Sequence, residues 1–315
     1  MARMTTEVPT SSRPRVPALA IALVAIFMGC IVDALVKHLG GRYGAILIAC
    51  CRYGFGAVFA VIAFVAARRP MPSLGTLRAH VLRSCASTSS AVLFFHALTV
   101  LQLAEATVLI FCAPLLIAPL ARLILGERFR LMALLAIGLG FAGVMVTVIG
   151  APAAANPRHL EGVIAGLCAA LLYSLSIVLL RQLAQRNEAL TSAMLGNVFP
   201  FLFLIGPVLW LGQAPLVADL PVLAALGLIG FTLWFLLTRA YSRAPAQSLA
   251  ISEYSALIWS AALGFVVFHE TPGWQVWAGA AIICVAIGLS AWDSQRIARR
   301  GAAETMAAGP GVLPG

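Results

Sequence analysis

Apolar residues run in stretches of about twenty along this chain, parted by short polar or proline-rich connectors. A hydrocarbon layer about 30 Å thick takes roughly 20 residues of helix, and only helices or closed barrels satisfy the backbone inside it. The runs have the length of helices rather than of strands. The pattern therefore predicts an all-α membrane protein with ten transmembrane helices, over 17–36, 44–66, 81–100, 105–125, 131–150, 162–180, 190–211, 219–238, 246–268 and 274–292. The longest connector, 151–161 (APAAANPRHLE), leaves five spans on each side. This divides the chain into an N-terminal tail (1–16), a first five-helix repeat (17–150), the connector (151–161), a second five-helix repeat (162–292) and a C-terminal tail (293–315). Laying one half on the other at an offset of 143 residues puts Ala97 on Ala240, Phe111 on Tyr254 and Glu127 on Glu270. An odd number of spans per copy turns the second copy upside down in the membrane. Inverted repeats of this kind are a transporter architecture, with the substrate held near the midplane between the halves.

Composition narrows the class further. Hydrophobic residues make up 62% of the chain and charged ones 10%, too little polar surface to coat a globule in water. A formal charge of +10 raises the question of nucleic acid, yet the basic residues sit at the ends of spans and not along one stripe, so no nucleic-acid partner is expected. With the N-terminus inside, sixteen of the 21 arginines and lysines fall on the cytoplasmic side, Arg78 and Arg83 among them. Lys37, the only lysine, falls outside with Arg42 and Arg158, while Arg52 and Arg122 lie within spans. Both termini are then cytoplasmic. The first apolar run follows Arg13 and Arg15 as a signal peptide's would, but it is too long for one and further spans follow. The seven cysteines all lie in or beside apolar stretches with no CxxC spacing, which reads as packing and not as a metal or disulfide framework. GLGFAG at 138–143 formally matches GxGxxG, but it sits inside an apolar helix and follows no strand, so Gly138, Gly140 and Gly143, like Gly162 and Gly166, read as close helix packing. No GxxxxGK[ST] loop is present, so neither ATP nor any other cofactor is expected.

The stretch Phe94 to Phe129, FFHALTVLQLAEATVLIFCAPLLIAPLARLILGERF, resembles the span 3 to span 4 region of the EamA-like branch of the drug/metabolite transporter superfamily, most clearly at Gly126-Glu127-Arg128. Leu236 to Trp274, LLTRAYSRAPAQSLAISEYSALIWSAALGFVVFHETPGW, resembles the matching region of the second repeat, with His269-Glu270 in place of the usual Gly-Glu. The resemblance covers roughly residues 17–292 and implies a secondary transporter of the bacterial inner membrane. Amino-acid exporters, including the aromatic amino-acid type, are prominent in that branch, so the expected cargo is an amino acid or a related small metabolite. One departure is local: Pro114 and Pro119 interrupt span 4, whereas Leu257 and Ala262 stand at the matching places in span 9.

Candidate site residues are the polar and aromatic groups placed deep in spans, because a charge at a helix centre costs about 2.5–3.5 kcal/mol on insertion scales and is turned toward protein or a wet cavity. Glu253 lies roughly 10 Å from the cytoplasmic end of span 9, and Arg52 about 12 Å from the external end of span 2. For Glu253 two readings stand, a substrate or proton contact and a protonated carboxyl bonded to a neighbouring helix. Arg52 has a structural partner within reach in Asp33, itself followed at i+4 by Lys37, and its sharper role is to hold a substrate carboxylate. His96 and Ser89 belong to an unusual polar load on span 3, which also carries Ser87, Thr88 and Ser90; back-bonded hydroxyls and a neutral interhelix histidine are the plainer readings. Phe111, Tyr173, Trp234, Tyr254 and Trp259 lie away from most helix ends, as residues lining a small-molecule cavity would, although ordinary interhelix packing explains any one of them. Phe111 and Tyr254 gain weight because the offset superposes them. An integral membrane enzyme would need a metal motif or a carboxylate pair near an interface, and a channel would need rings of repeated charge; neither pattern is in the chain.

Overall fold

The computed structural model describes residues 18–125, 131–149, 157–184, 189–241 and 246–307, apart from some side chains inside those helices. They form eleven α-helices: α1 Ala18–Gly40, α2 Ala45–Ala66, α3 Leu74–Val100, α4 Leu103–Ile110, α5 Ala113–Leu125, α6 Leu131–Ile149, α7 His159–Ala184, α8 Ala189–Trp210, α9 Leu220–Tyr241, α10 Ala246–Phe268 and α11 Trp274–Ala307. A single 3₁₀ turn, Val217–Asp219, leads into α9, and there is no strand among the described residues. Six helices are each long and apolar enough to cross a membrane, and the shorter apolar helices make up the rest.

The expected span 4 is two helices. Pro114 has no N–H to offer the carbonyl of Ile110, so the ladder ends there and restarts at Ala113, with Phe111 as the C-terminal cap of α4. At the matching place α10 runs unbroken through Leu257 and Ala262. Several helix ends differ from the sequence expectation. α3 begins at Leu74 and not at 81, because the Ser73 hydroxyl accepts the Thr76 N–H at 3.3 Å and caps a turn that looked too polar to be span. α7 takes His159–Glu161 from the connector, and α11 carries helix through 293–307, where a tail was expected.

Packing is reciprocal between the halves. α1, first in its half, packs on α9 and α10, third and fourth in theirs, while α7, first in the second half, packs on α3 and on α4 with α5. The contact of α2 with α9 is matched by that of α8 with α3, and α2 meets α8 as α6 meets α11. Such an exchange of roles is what a two-fold relation between similar halves produces. Small residues set the closest crossings. A Cβ on Gly227 of α9 would lie 2.8 Å from the Gly56 nitrogen on α2, and one on Gly143 of α6 would lie 2.8 Å from the Gly279 carbonyl on α11. Of the GLGFAG glycines, Gly140 and Gly143 are thus packing positions, while Gly138 faces open space.

The helices are apolar on both faces. On α2, Tyr53, Ala57, Ala60 and Phe64 are buried, while Val58, Val61, Ile62 and Val65, also at helical spacing, stand exposed. In water such an outer stripe would be an aggregation surface; in lipid it is the required coat. Trp210 and Trp274 are exposed near helix ends, as interfacial aromatic anchors are.

Candidate functional site

Among the described residues, two ion pairs and two histidine–carboxylate contacts join the two halves, all at the end of the bundle where α1 stops and α2 starts. Lys37 Nζ lies 2.8 Å from Glu270 Oε1, with each side chain 14% exposed. Lys37 also donates to the carbonyls of Leu98 and Leu101, which close α3, while Glu270 Oε2 accepts the Leu103 N–H at 2.9 Å, which opens α4. Helix ends leave such groups without intrahelical partners, and their partial charges favour a cation at the C-terminus and an anion at the N-terminus. One ion pair thus caps two helices of the first half from both sides. Lys37 therefore pairs across the halves, and not with Asp33 on its own helix. Glu270 is held in place by its neighbour. His269 adopts φ +55° after the last turn of α10, with its N–H bonded to Phe265, which is the left-handed cap that glycine usually fills. The Gly-to-His departure seen in sequence falls on this position.

The other three ties lie alongside. Arg42 Nη1 is 2.7 Å from Asp219 Oδ2, which also accepts the Tyr43 hydroxyl at 2.5 Å. His96 Nε2 is 2.7 Å from Glu161 Oε1, and Glu161 is held at its own helix start by Arg158. His159 Nε2 is 2.7 Å from Glu105 Oε1, a carboxyl that is 4% exposed. The hydrogen bonds and charge on Asp219 raise the pKa of the exposed Arg42 above its ordinary value. His96 is thus placed at the tied end, beside an apolar crevice of about 260 Å³ that Ile46, Val92 and Leu93 help to line, and not in the middle of the bundle.

Deeper in lie two arginines, Arg52 buried and Arg83 half-buried. Arg52 on α2 is 6% exposed, stacks on the ring of Tyr53 at 4.5 Å and lies 6.0 Å from that of Phe95. Its Nε and Nη1 have no hydrogen-bond partner. Asp33 on α1 is within electrostatic reach, but the direct ion pair expected between them is not made among the described residues. Arg83 on α3, assigned from sequence to the cytoplasmic charge set, is half-buried, with Nε and Nη1 themselves buried and unbonded. Tyr53 and Tyr173 are the phenols in its electrostatic reach. Arginine nitrogens are rarely left buried without partners, which sets these atoms apart from the rest of the interior.

The remaining sequence candidates scatter. Ser89 is exposed on the outside of α3, Ser87 and Thr88 bond back to the Ser84 carbonyl, and Ser90 reaches the Ala169 carbonyl on α7 at 2.8 Å. Trp259 is 39% exposed and packs edge-on against Phe27 at 4.8 Å. Phe111 and Tyr173 are partly buried against the main core, and Trp234 is half-buried on α9. The side chains of Glu253 and Tyr254, and all of Glu127, lie outside the described residues. What the sequence reading missed is Arg83, Glu105 and the partners of Lys37 and Glu270. Arg83 had a signal, since Ser73 after Pro72 is a helix start that places residue 83 well inside span 3.

An all-α fold of two similar halves, apolar outside and holding buried cations inside, defines a multi-pass membrane protein built from an internal repeat. The EamA-like transporter family profile matches it twice, over residues 16–149 and 160–292, and the chain belongs to that family, within the drug/metabolite transporter superfamily. It is 32% identical to protein RarD of Streptomyces exfoliatus over 66% of this chain, a match that spans 65% of RarD. It is 24% identical to the pseudopaline exporter CntI of Pseudomonas aeruginosa, covering 84% of this chain and 93% of CntI. With an S-adenosylmethionine uptake transporter of Rickettsia bellii it shares 25% identity, over 80% of this chain and 85% of the relative. One solved crystal structure superposes with a TM-score of 0.59 at 21% identity, over 89% of this chain and 98% of the other, a likeness of fold. The protein is thus a transporter-family member, and two of these relatives are named for small molecules, pseudopaline and S-adenosylmethionine.

Proposed function

We propose that the protein is a secondary transporter that exports amino acids or related small metabolites across the bacterial inner membrane by alternating access. In this reading α4 and α5 form one broken span, giving ten spans in two oppositely oriented copies with both termini cytoplasmic. The tied end is then external, as the excess of arginine at the opposite ends of the spans supports. The observation that carries the reading is the set of four polar ties between the halves, all at one end among the described residues. Pairs confined to one end favour one orientation of two rigid halves and must part when the halves rock, which is what a gate in alternating access requires. The conformation described is accordingly closed to the outside. Tyr173 and Phe111, with Glu253 and Tyr254, remain the aromatic and acidic groups assigned to the substrate path.

Counterflow tests this. Purified protein in liposomes preloaded with an unlabelled amino acid should accelerate entry of the same labelled amino acid, with and without a pH gradient. A second reading, carriage of another metabolite, draws on relatives named for pseudopaline export and for S-adenosylmethionine uptake, so both compounds belong in the screen. Entry that preloading does not stimulate for any compound refutes carriage itself, while stimulation by S-adenosylmethionine alone moves the substrate and leaves the mechanism.

A further inference from the structure

Among the described residues, Arg52, Arg83 and Asp33 are the charged groups inside the bundle that the ties do not involve. Each arginine has two nitrogens shut off from water and from the protein. Each also faces a glycine on the opposite half: a Cβ on Gly230 of α9 would lie 3.0 Å from Arg52 Nε, and one on Gly196 of α8 would lie 3.7 Å from Arg83 Nη1. The guanidinium groups therefore reach across the interface of the halves, and no side chain stands at the point they reach. Gly230 is ten residues from the tied end of α9 and Gly196 fourteen from the tied end of α8. At 1.5 Å per residue, with those ends level, the two groups sit roughly 15 and 21 Å deep, about 6 Å apart along the bundle axis. The first depth is at the middle of a 30 Å layer and the second about 6 Å beyond it, toward the far side. Tyr53 spans the interval, stacked on Arg52 and in electrostatic reach of Arg83. Asp33, half-buried on α1, lies on the Arg52 side and forms no ion pair among the described residues.

Two cations and one anion that lack partners call for a ligand with two anions and one cation. We propose that this is the substrate site and that it takes an acidic amino acid or similar aminodicarboxylate. The α-carboxylate lies on Arg52, the ammonium on Asp33 and the side-chain carboxylate on Arg83. A guanidinium accepts a carboxylate in a planar two-bond fork, which suits arginine rather than lysine to both positions. A carboxylate on one edge of each guanidinium would satisfy one of its two unbonded nitrogens and leave the other edge to a second acceptor. This assignment rests on the amino-acid transport reading above.

The test is counterflow with the full-length protein in liposomes, using L-glutamate, L-glutamine, L-phenylalanine and L-arginine as separate labelled probes. A hydrogen bond to a charged group is worth about 10- to 150-fold, so L-glutamate should exchange faster than L-glutamine by at least the lower bound. Arg83→Gln should remove that preference by slowing glutamate and sparing glutamine, Arg83→Lys should restore part of it, and Arg52→Gln should slow both, since both carry the α-carboxylate. Monodispersity of each variant on size exclusion separates lost recognition from lost folding. Equal exchange of glutamate and phenylalanine by the parent overturns the acidic class while leaving an amino-acid carrier. Exchange of none of the four overturns both readings. Equal slowing of glutamate and glutamine in Arg83→Gln and Arg83→Lys alike makes Arg83 structural and overturns the site.

Discussion

Replacing Glu270 by glutamine should open the tied end. The amide oxygen still accepts the Leu103 N–H, so the change removes mainly the charge that Lys37 sees. Removing one member of a buried ion pair costs about 3–5 kcal/mol, because the other charge is left uncompensated. Here both side chains are 14% exposed and Lys37 keeps two carbonyl acceptors, which brings the figure to about 2–3 kcal/mol. The pair exists only while the halves are closed at this end, so nearly all of that difference falls on the closed state. At about 1.4 kcal/mol per factor of ten, the open population rises roughly 30- to 150-fold. A reporter is available one turn further in: Thr107 on α4 is 3% exposed and lies behind the Leu103 contact. With the seven native cysteines replaced, a cysteine at 107 should react with a membrane-impermeant maleimide, offered from the tied side, about 30-fold faster in Glu270→Gln than in the parent. Lys37→Met combined with Glu270→Gln should react more slowly than Glu270→Gln alone, since no charge is then stranded. A rate within about twofold of the parent, or a double variant at least as fast as the single, refutes the gate.

Three further outcomes are expected from thermal unfolding in detergent, followed by tryptophan fluorescence. His159→Leu strands the nearly buried Glu105 carboxyl and should lower the unfolding temperature, with Glu105→Gln in the same chain recovering part of the loss; no recovery would mean that the pair is not what matters. Gly227→Ala puts a methyl 2.5 Å from the Phe55 Cβ and 2.8 Å from the Gly56 nitrogen, so α2 and α9 must part, at about 1–3 kcal/mol; an unchanged midpoint would contradict that crossing. His269→Gly relieves a left-handed residue and should stabilise by about 1 kcal/mol, whereas destabilisation would show the imidazole to have a role of its own.

The class of the fold was legible because lipid imposes it locally. Length and apolarity of each run report a helix without reference to any other part of the chain, and Pro114 reports where one helix must break. Helix ends were legible only where a cap was noticed: Ser73 lengthens α3 inward by two turns and carries Arg83 from the charged fringe into the interior. That single shift explains why counting basic residues by side concealed half of the candidate site. Ion pairs were least legible. Sequence proximity joined Asp33 to Lys37, but a turn of helix offers one surface neighbour, whereas the fold offered Lys37 two open carbonyls and Glu270 together.

The sequence by itself therefore determined a membrane protein of helices, its division into two related halves, and the family those halves belong to, since each follows from a pattern within about twenty residues or from a resemblance along the chain. Only the tertiary structure decided which charges meet. Pairing Lys37 with Glu270, or aiming Arg52 at Gly230 and Arg83 at Gly196, depends on how two halves pack across a common interface, and no spacing within either half encodes that distance.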